Sequence, residues 1–82
     1  MIIFTHHAVE KFRVLKRHGF VVSRAQVLDA VRKPDRVDYS RLPLIIAQGK
    51  IDRAHVLRVV YRVDGDNIKI ITFYPGRTKQ YE

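Results

Sequence analysis

Apolar residues recur along this chain with two different periods. In the N-terminal part, Ala8, Val9, Phe12 and Leu15 follow one another at three- and four-residue spacing, which gathers them on one stripe of a helix. The spacing predicts a helix over residues 6–18, capped by the Thr5 hydroxyl and ended by Gly19, since a helix end favours a residue with positive φ. Lys16, Arg17 and His18 in the last turn suit the negative end of the helix dipole. Residues 2–5, β-branched and aromatic, read as a short strand before it. Ser23-Arg24-Ala25-Gln26 has the spacing of a capping box, and Val27, Leu28 and Val31 supply a second apolar stripe. Pro34 stops that helix, because it lacks an amide hydrogen and disfavours helical backbone at Lys33. The pair is expected to form a helical hairpin.

From Asp35 onward the period falls to two. Residues 36–40 and the apolar run 44–47 read as strands, with a turn over 49–53. Residues 54–63 and 67–74 give the strongest strand signals, joined by a tight turn at Asp64-Gly65. That turn implies a register in which Tyr61 faces Ile68, Val59 faces Ile70, Leu57 faces Thr72 and His55 faces Tyr74 on one side. Arg62, Val60, Arg58 and Val56 lie on the other, across from Asn67, Lys69, Ile71 and Phe73 in that order. The expected fold is α+β: a short N-terminal strand, a helical hairpin, then a three- to four-stranded antiparallel sheet with both helices on its apolar face.

Composition sharpens this picture. A length of 82 residues fits a single domain with a modest core. Lysine and arginine number 16 against 8 acidic residues, a net charge of +8, and ten of the 16 are arginine. Arginine binds phosphate bidentately and stacks on bases, so the excess points to nucleic acid. Charge kept for solubility, or for an acidic protein partner, is the competing reading. With no cysteine, disulfides and thiolate metal sites are excluded. No apolar run approaches the roughly 20 residues that span a bilayer, and Met1-Ile2-Ile3-Phe4 reads as a strand rather than a signal peptide. A cytoplasmic location is expected.

Two strings add a resemblance. One is Thr5-His6-His7-Ala8, followed by Arg13, Arg17 and Gly19-Phe20; the other is Val59-Val60-Tyr61 leading to Ile70-Ile71-Thr72-Phe73-Tyr74-Pro75. With the element order, the chain resembles the RelE/ParE-like toxin superfamily and a neighbouring group of small domains of unknown function. The resemblance covers most of the chain, though the basic residues between Ala8 and Gly19 are offset from the tidier pattern. It implies a metal-independent endoribonuclease acting on messenger RNA, free or on the ribosome, silenced by an acidic antitoxin. Some relatives of that fold inhibit DNA gyrase, and others have no demonstrated activity; a non-catalytic nucleic-acid-binding or protein-interaction module of the same fold is the alternative for this chain.

Such cleavage uses the 2′-hydroxyl as nucleophile and needs a base, cations on the phosphate oxygens and an acid for the leaving oxygen. His55, Tyr74 and Arg77 are expected to meet at one sheet end, as a candidate catalytic set. His7 is a further candidate, at a helix start where the dipole favours neutral imidazole. Arg58, Arg62 and Lys69 on one sheet face are the candidate phosphate contacts, a solvated antiparallel face being the plain alternative. Arg13 and Arg17 share a helix face, and Tyr81 near the C-terminus could stack on a base. No metal or other cofactor is expected.

Overall fold

A computed structural model describes residues 1–81. Its elements are β1 (Ile2–Phe4), α1 (His6–Arg17), α2 (Arg24–Arg32), β2 (Arg36–Arg41), β3 (Leu44–Lys50), β4 (His55–Asp64) and β5 (Asn67–Arg77), closed by a 3-10 helix, Thr78–Tyr81. The fold is α+β, as the periods imply. The sheet is five-stranded and mixed rather than antiparallel throughout. Its order is β1-β5-β4-β3-β2, and β1 runs parallel to β5, with Ile2 beside Ile68 and Phe4 beside Ile70. The N-terminal strand therefore covers the edge that β5 would otherwise present.

The helix boundaries follow from their caps. Thr5 Oγ1 accepts from the Ala8 amide at 3.2 Å and donates to the Ile70 carbonyl at 2.9 Å, which ties the start of α1 to the sheet. At the other end the Phe20 amide reaches the Leu15 carbonyl and the Gly19 amide the Lys16 carbonyl, a Schellman closure with Gly19 at φ +85°. The capping box of α2 is complete. Gln26 N donates to Ser23 Oγ at 3.1 Å, and Ser23 N donates to Gln26 Oε1 at 2.8 Å.

Each helix finds its main partner in the sheet, α1 against β5 and α2 against β3 and β4, rather than in the other helix. Ala8, Leu15, Val27 and Ala30 enter a core with Leu57, Val59, Ile70 and Phe73. Val9, expected on the buried stripe, is exposed, while Phe12, expected there too, packs against the core. Its ring lies 4.7 Å from that of Phe73 and 5.9 Å from that of Phe4. Burying an aromatic ring contributes about 1.5–3 kcal/mol, so this cluster is a main fastening of α1. Among the described residues no helix is long and apolar enough to cross a membrane.

Candidate nucleic-acid interface

The β4–β5 hairpin decides which side chains share the open face of the sheet. Asp64 pairs with Asn67, so the two central turn residues are Gly65 and Asp66, not Asp64 and Gly65. Gly65 has φ +61° and, among the described residues, no non-glycine residue has positive φ, which defines a type II′ turn. The pairing moves by two residues, so Tyr61 faces Ile70 and the sides near the turn are as expected. Ile71 then bulges out of the ladder between Tyr61–Ile70 and Val60–Thr72. One extra residue reverses the alternation beyond it. Phe73 turns into the core, fully buried, while Thr72 and Tyr74 pass to the open face opposite Val60 and Arg58.

That reversal corrects the expected catalytic set. His55 pairs with Arg77, so these two do sit together at the sheet end. Tyr74 is not with them. It stands across from Arg58, and its hydroxyl accepts from Arg58 Nε at 3.2 Å. The same guanidinium donates from Nη1 to Gln48 Oε1 at 2.7 Å, and Tyr81 lies over it with the ring centroid 4.2 Å from Cζ. Gln48 is the one buried polar side chain among the described residues, and Arg58 satisfies its carbonyl oxygen. Nη2 of Arg58 has no protein partner among the described residues. No buried side-chain nitrogen or oxygen there is left unpaired, so Nη2 is reached by solvent, and Arg58 lines a cleft.

The cleft holds about 540 Å³ and is lined by Arg36, Asp38, Tyr39, Ile46, Gln48, Arg58 and Tyr81, among others. A second hollow of about 370 Å³ continues past Arg58 to Arg41, Val60 and Tyr74. Asp38 sits between them. The Ser40 hydroxyl and amide hold its carboxyl below the usual carboxylate range, and Arg58 and Arg41 add to the effect. An ionised carboxylate only accepts hydrogen bonds, so Asp38 suits a sugar hydroxyl and repels a phosphate. Against it stand three arginines, Arg36, Arg41 and Arg58. The wall of the cleft is made by the C-terminal 3-10 helix. Arg36 Nη1 donates to the Tyr81 carbonyl at 2.6 Å, and the Tyr81 ring packs on Gly76, where a β-carbon would collide with it. Tyr81 is thus fixed in the site.

The other candidates lie elsewhere. Arg62 shares the open face with Arg58 but is exposed at the hairpin tip. Lys69, its cross-strand partner, is engaged with Asp64 at 2.9 Å, an ion pair that holds the Asp64 carboxyl below its usual range. His7, Arg13 and Arg17 are exposed on α1, behind the sheet, and Arg13 lies 3.7 Å from Glu10. None of the four histidines lines the Arg58 cleft. Among the described residues no cluster of three His, Asp or Glu side chains is placed to hold a metal ion.

Sequence reasoning missed Gln48, Arg36, Arg41 and Asp38. Gln48 carried a signal, a lone amide ending the apolar run Leu44-Ile45-Ile46-Ala47. Gly76 carried another, since a glycine inside a strand marks the close approach of another group. Compared with protein-family models, with curated proteins and with solved structures, the chain gives no match.

Proposed function

We propose that this protein binds single-stranded RNA in the cleft around Arg58 and cuts it as a metal-independent, RelE/ParE-like endoribonuclease. The observation that carries the reading is the state of Arg58. A half-buried guanidinium lining the cleft is fixed by Tyr74, Gln48 and the Tyr81 ring and leaves Nη2 to solvent. A cation held in place before the ligand arrives stabilises developing phosphorane charge without reorganising. Arg36 and Arg41 flank it for neighbouring phosphates.

In the reaction the 2′-oxygen attacks phosphorus and the bond from phosphorus to the 5′-oxygen breaks. The products are a 2′,3′-cyclic phosphate and a 5′-hydroxyl. The 2′-hydroxyl gives up one proton and the leaving oxygen takes one. Tyr74 and Tyr81 are the groups of this cleft suited to those transfers, while Asp38, held ionised, orients the sugar. The net charge of +8 suits an acidic antitoxin as the silencing partner, and the cytoplasm is where such a protein would meet messenger RNA.

The second reading is RNA binding without cleavage, favoured by the absence of histidine from the cleft among the described residues. Incubating the protein with RNA, with and without ribosomes, separates the two. Fragments ending in a cyclic phosphate, lost in Tyr74→Phe and Arg58→Lys, support the enzyme. Intact RNA with salt-sensitive binding supports the second reading.

A further inference from the structure

A second group of polar side chains stands at the far end of β4 and β5, outside the Arg58 cleft. It is built on the loop of residues 51–54. The Asp52 carboxylate accepts from the amides of Ala54 at 2.8 Å and His55 at 2.9 Å, and it holds His55 Nδ1 at 3.1 Å. These bonds keep its carboxyl below the usual range, the Ala54 amide first among them. An ionised carboxylate cannot donate, so the hydrogen between the two lies on Nδ1. Nε2 is then the nitrogen turned away from Asp52, and His55 lines a hollow of about 310 Å³ with Phe20, Pro75, Gly76, Arg77 and Gln80. The ring cannot swing freely, because Phe20 meets it edge to face at 5.3 Å. Arg77 stands directly across the ladder from His55.

Arg77 lines this hollow and a neighbouring one, and so links the imidazole to further cations. On the other side of Arg77 a hollow of about 320 Å³ is lined by Arg53, Ala54, Thr78 and Lys79. Thr78 ties the two chain segments together, its amide donating to the Ala54 carbonyl at 2.8 Å and its hydroxyl to the Arg53 carbonyl at 3.2 Å. Among the described residues no carboxylate lies within ion-pair distance of Arg53, Arg77 or Lys79. Two further cations, Arg53 and Lys79, and an oriented imidazole flanking Arg77 are the recognition chemistry of a phosphate group.

We infer that His55, Arg77, Arg53 and Lys79 form a second phosphate-binding subsite. Gln80 lines both this end and the Arg58 cleft. A strand leaving the cleft therefore passes Gln80 and brings its next phosphates to Arg77. The identity of the phosphate as part of an RNA strand rests on the reading of the Arg58 cleft; the subsite itself does not.

The test follows the His55 ring by NMR in the 82-residue chain, with two probes. Inorganic phosphate, titrated alone, should shift the His55 ring and Arg77 side-chain signals. In Arg77→Gln, folded by its amide spectrum, the apparent affinity should fall at least tenfold. Phosphate that leaves His55 untouched, or moves it equally in Arg77→Gln, overturns the subsite. The second probe is a single-stranded RNA of about ten nucleotides. Arg77→Gln should reduce the slope of log affinity against log salt by about 0.7 for each phosphate that the variant no longer neutralises. An unchanged slope, with the inorganic phosphate response intact, overturns the strand path and assigns the subsite to free phosphorylated molecules. A phosphate response in a protein that binds no RNA supports the subsite while the Arg58 reading fails.

Discussion

Tyr81 can lie over Arg58 because residue 76 has no side chain. Replacing Gly76 with alanine tests that arrangement through opposing energies. A β-carbon at residue 76 would come 2.8 Å from Tyr81 Cδ2 and closer still to Cε2. Carbon atoms do not approach so near, so the ring must leave. It gives up its stack on Arg58, an interaction worth about 0.5–1 kcal/mol at an exposed site and about 2 when desolvated. Gly76 is not among the residues with positive φ, so alanine fits the backbone. By restricting the unfolded chain, alanine returns about 0.4–1 kcal/mol. In the wild-type background the two terms nearly cancel or the loss prevails. With Tyr81→Ala already in place there is no ring to displace, and Gly76→Ala should stabilise by about 0.4–1 kcal/mol. Chemical denaturation of the four proteins reads the difference as a coupling of about 0.5–2 kcal/mol. Equal stabilisation by Gly76→Ala in both backgrounds would refute the docking of Tyr81, and with it the wall of the cleft.

Three further outcomes are expected. Gly19→Ala places a β-carbon at φ +85° in the Schellman closure of α1 and should cost about 1–2 kcal/mol, seen as a fall in Tm of several degrees. Ser23→Ala removes one half of the α2 capping box and should cost about 1 kcal/mol, while Ser23→Asp should cost little. The acid limb tests the lowered carboxyls of Asp38, Asp52 and Asp64. A carboxyl whose pKa is depressed by folding contributes stability that is complete above its unfolded value, near 3.8, and is lost as pH falls through the folded value. Tm should therefore drop with acid below about pH 4, and Asp52→Asn and Asp64→Asn should each flatten that drop; slopes identical to wild type would contradict it.

Much of the fold is legible because caps and periods are local. Thr5, Gly19, the Ser23–Gln26 box and Pro34 each act within a few residues, and each boundary follows from them. The place of β1 is not local. Three apolar residues can extend either edge of a sheet, and nothing in their order says that they join β5 in parallel. The candidate site turned on a single residue. Ile70 and Ile71 are both apolar, so strict alternation through them and a bulge at Ile71 fit the string almost equally well. Only the bulge puts both Ile70 and Phe73 in the core. It also carries Tyr74 from His55 to Arg58. Alternation alone therefore found Arg58 and its face, but it assigned the tyrosine to the wrong partner. Arg36, Asp38 and Arg41 reach the site from β2, and Tyr81 from beyond β5. Those approaches are tertiary and leave no period in the sequence.

The central claim is that Arg58, held by Tyr74, Gln48 and Tyr81, receives an RNA phosphate. Arg58→Lys keeps the charge and a donor for Gln48 but loses the planar fork and the bond from Nε to Tyr74. The decisive measurement is single-stranded RNA binding by wild type and Arg58→Lys across a salt series. Salt-steep binding by the wild type, weakened at least tenfold in a folded Arg58→Lys protein, is the result expected. Equal affinity and equal salt slope in the two proteins would contradict the claim.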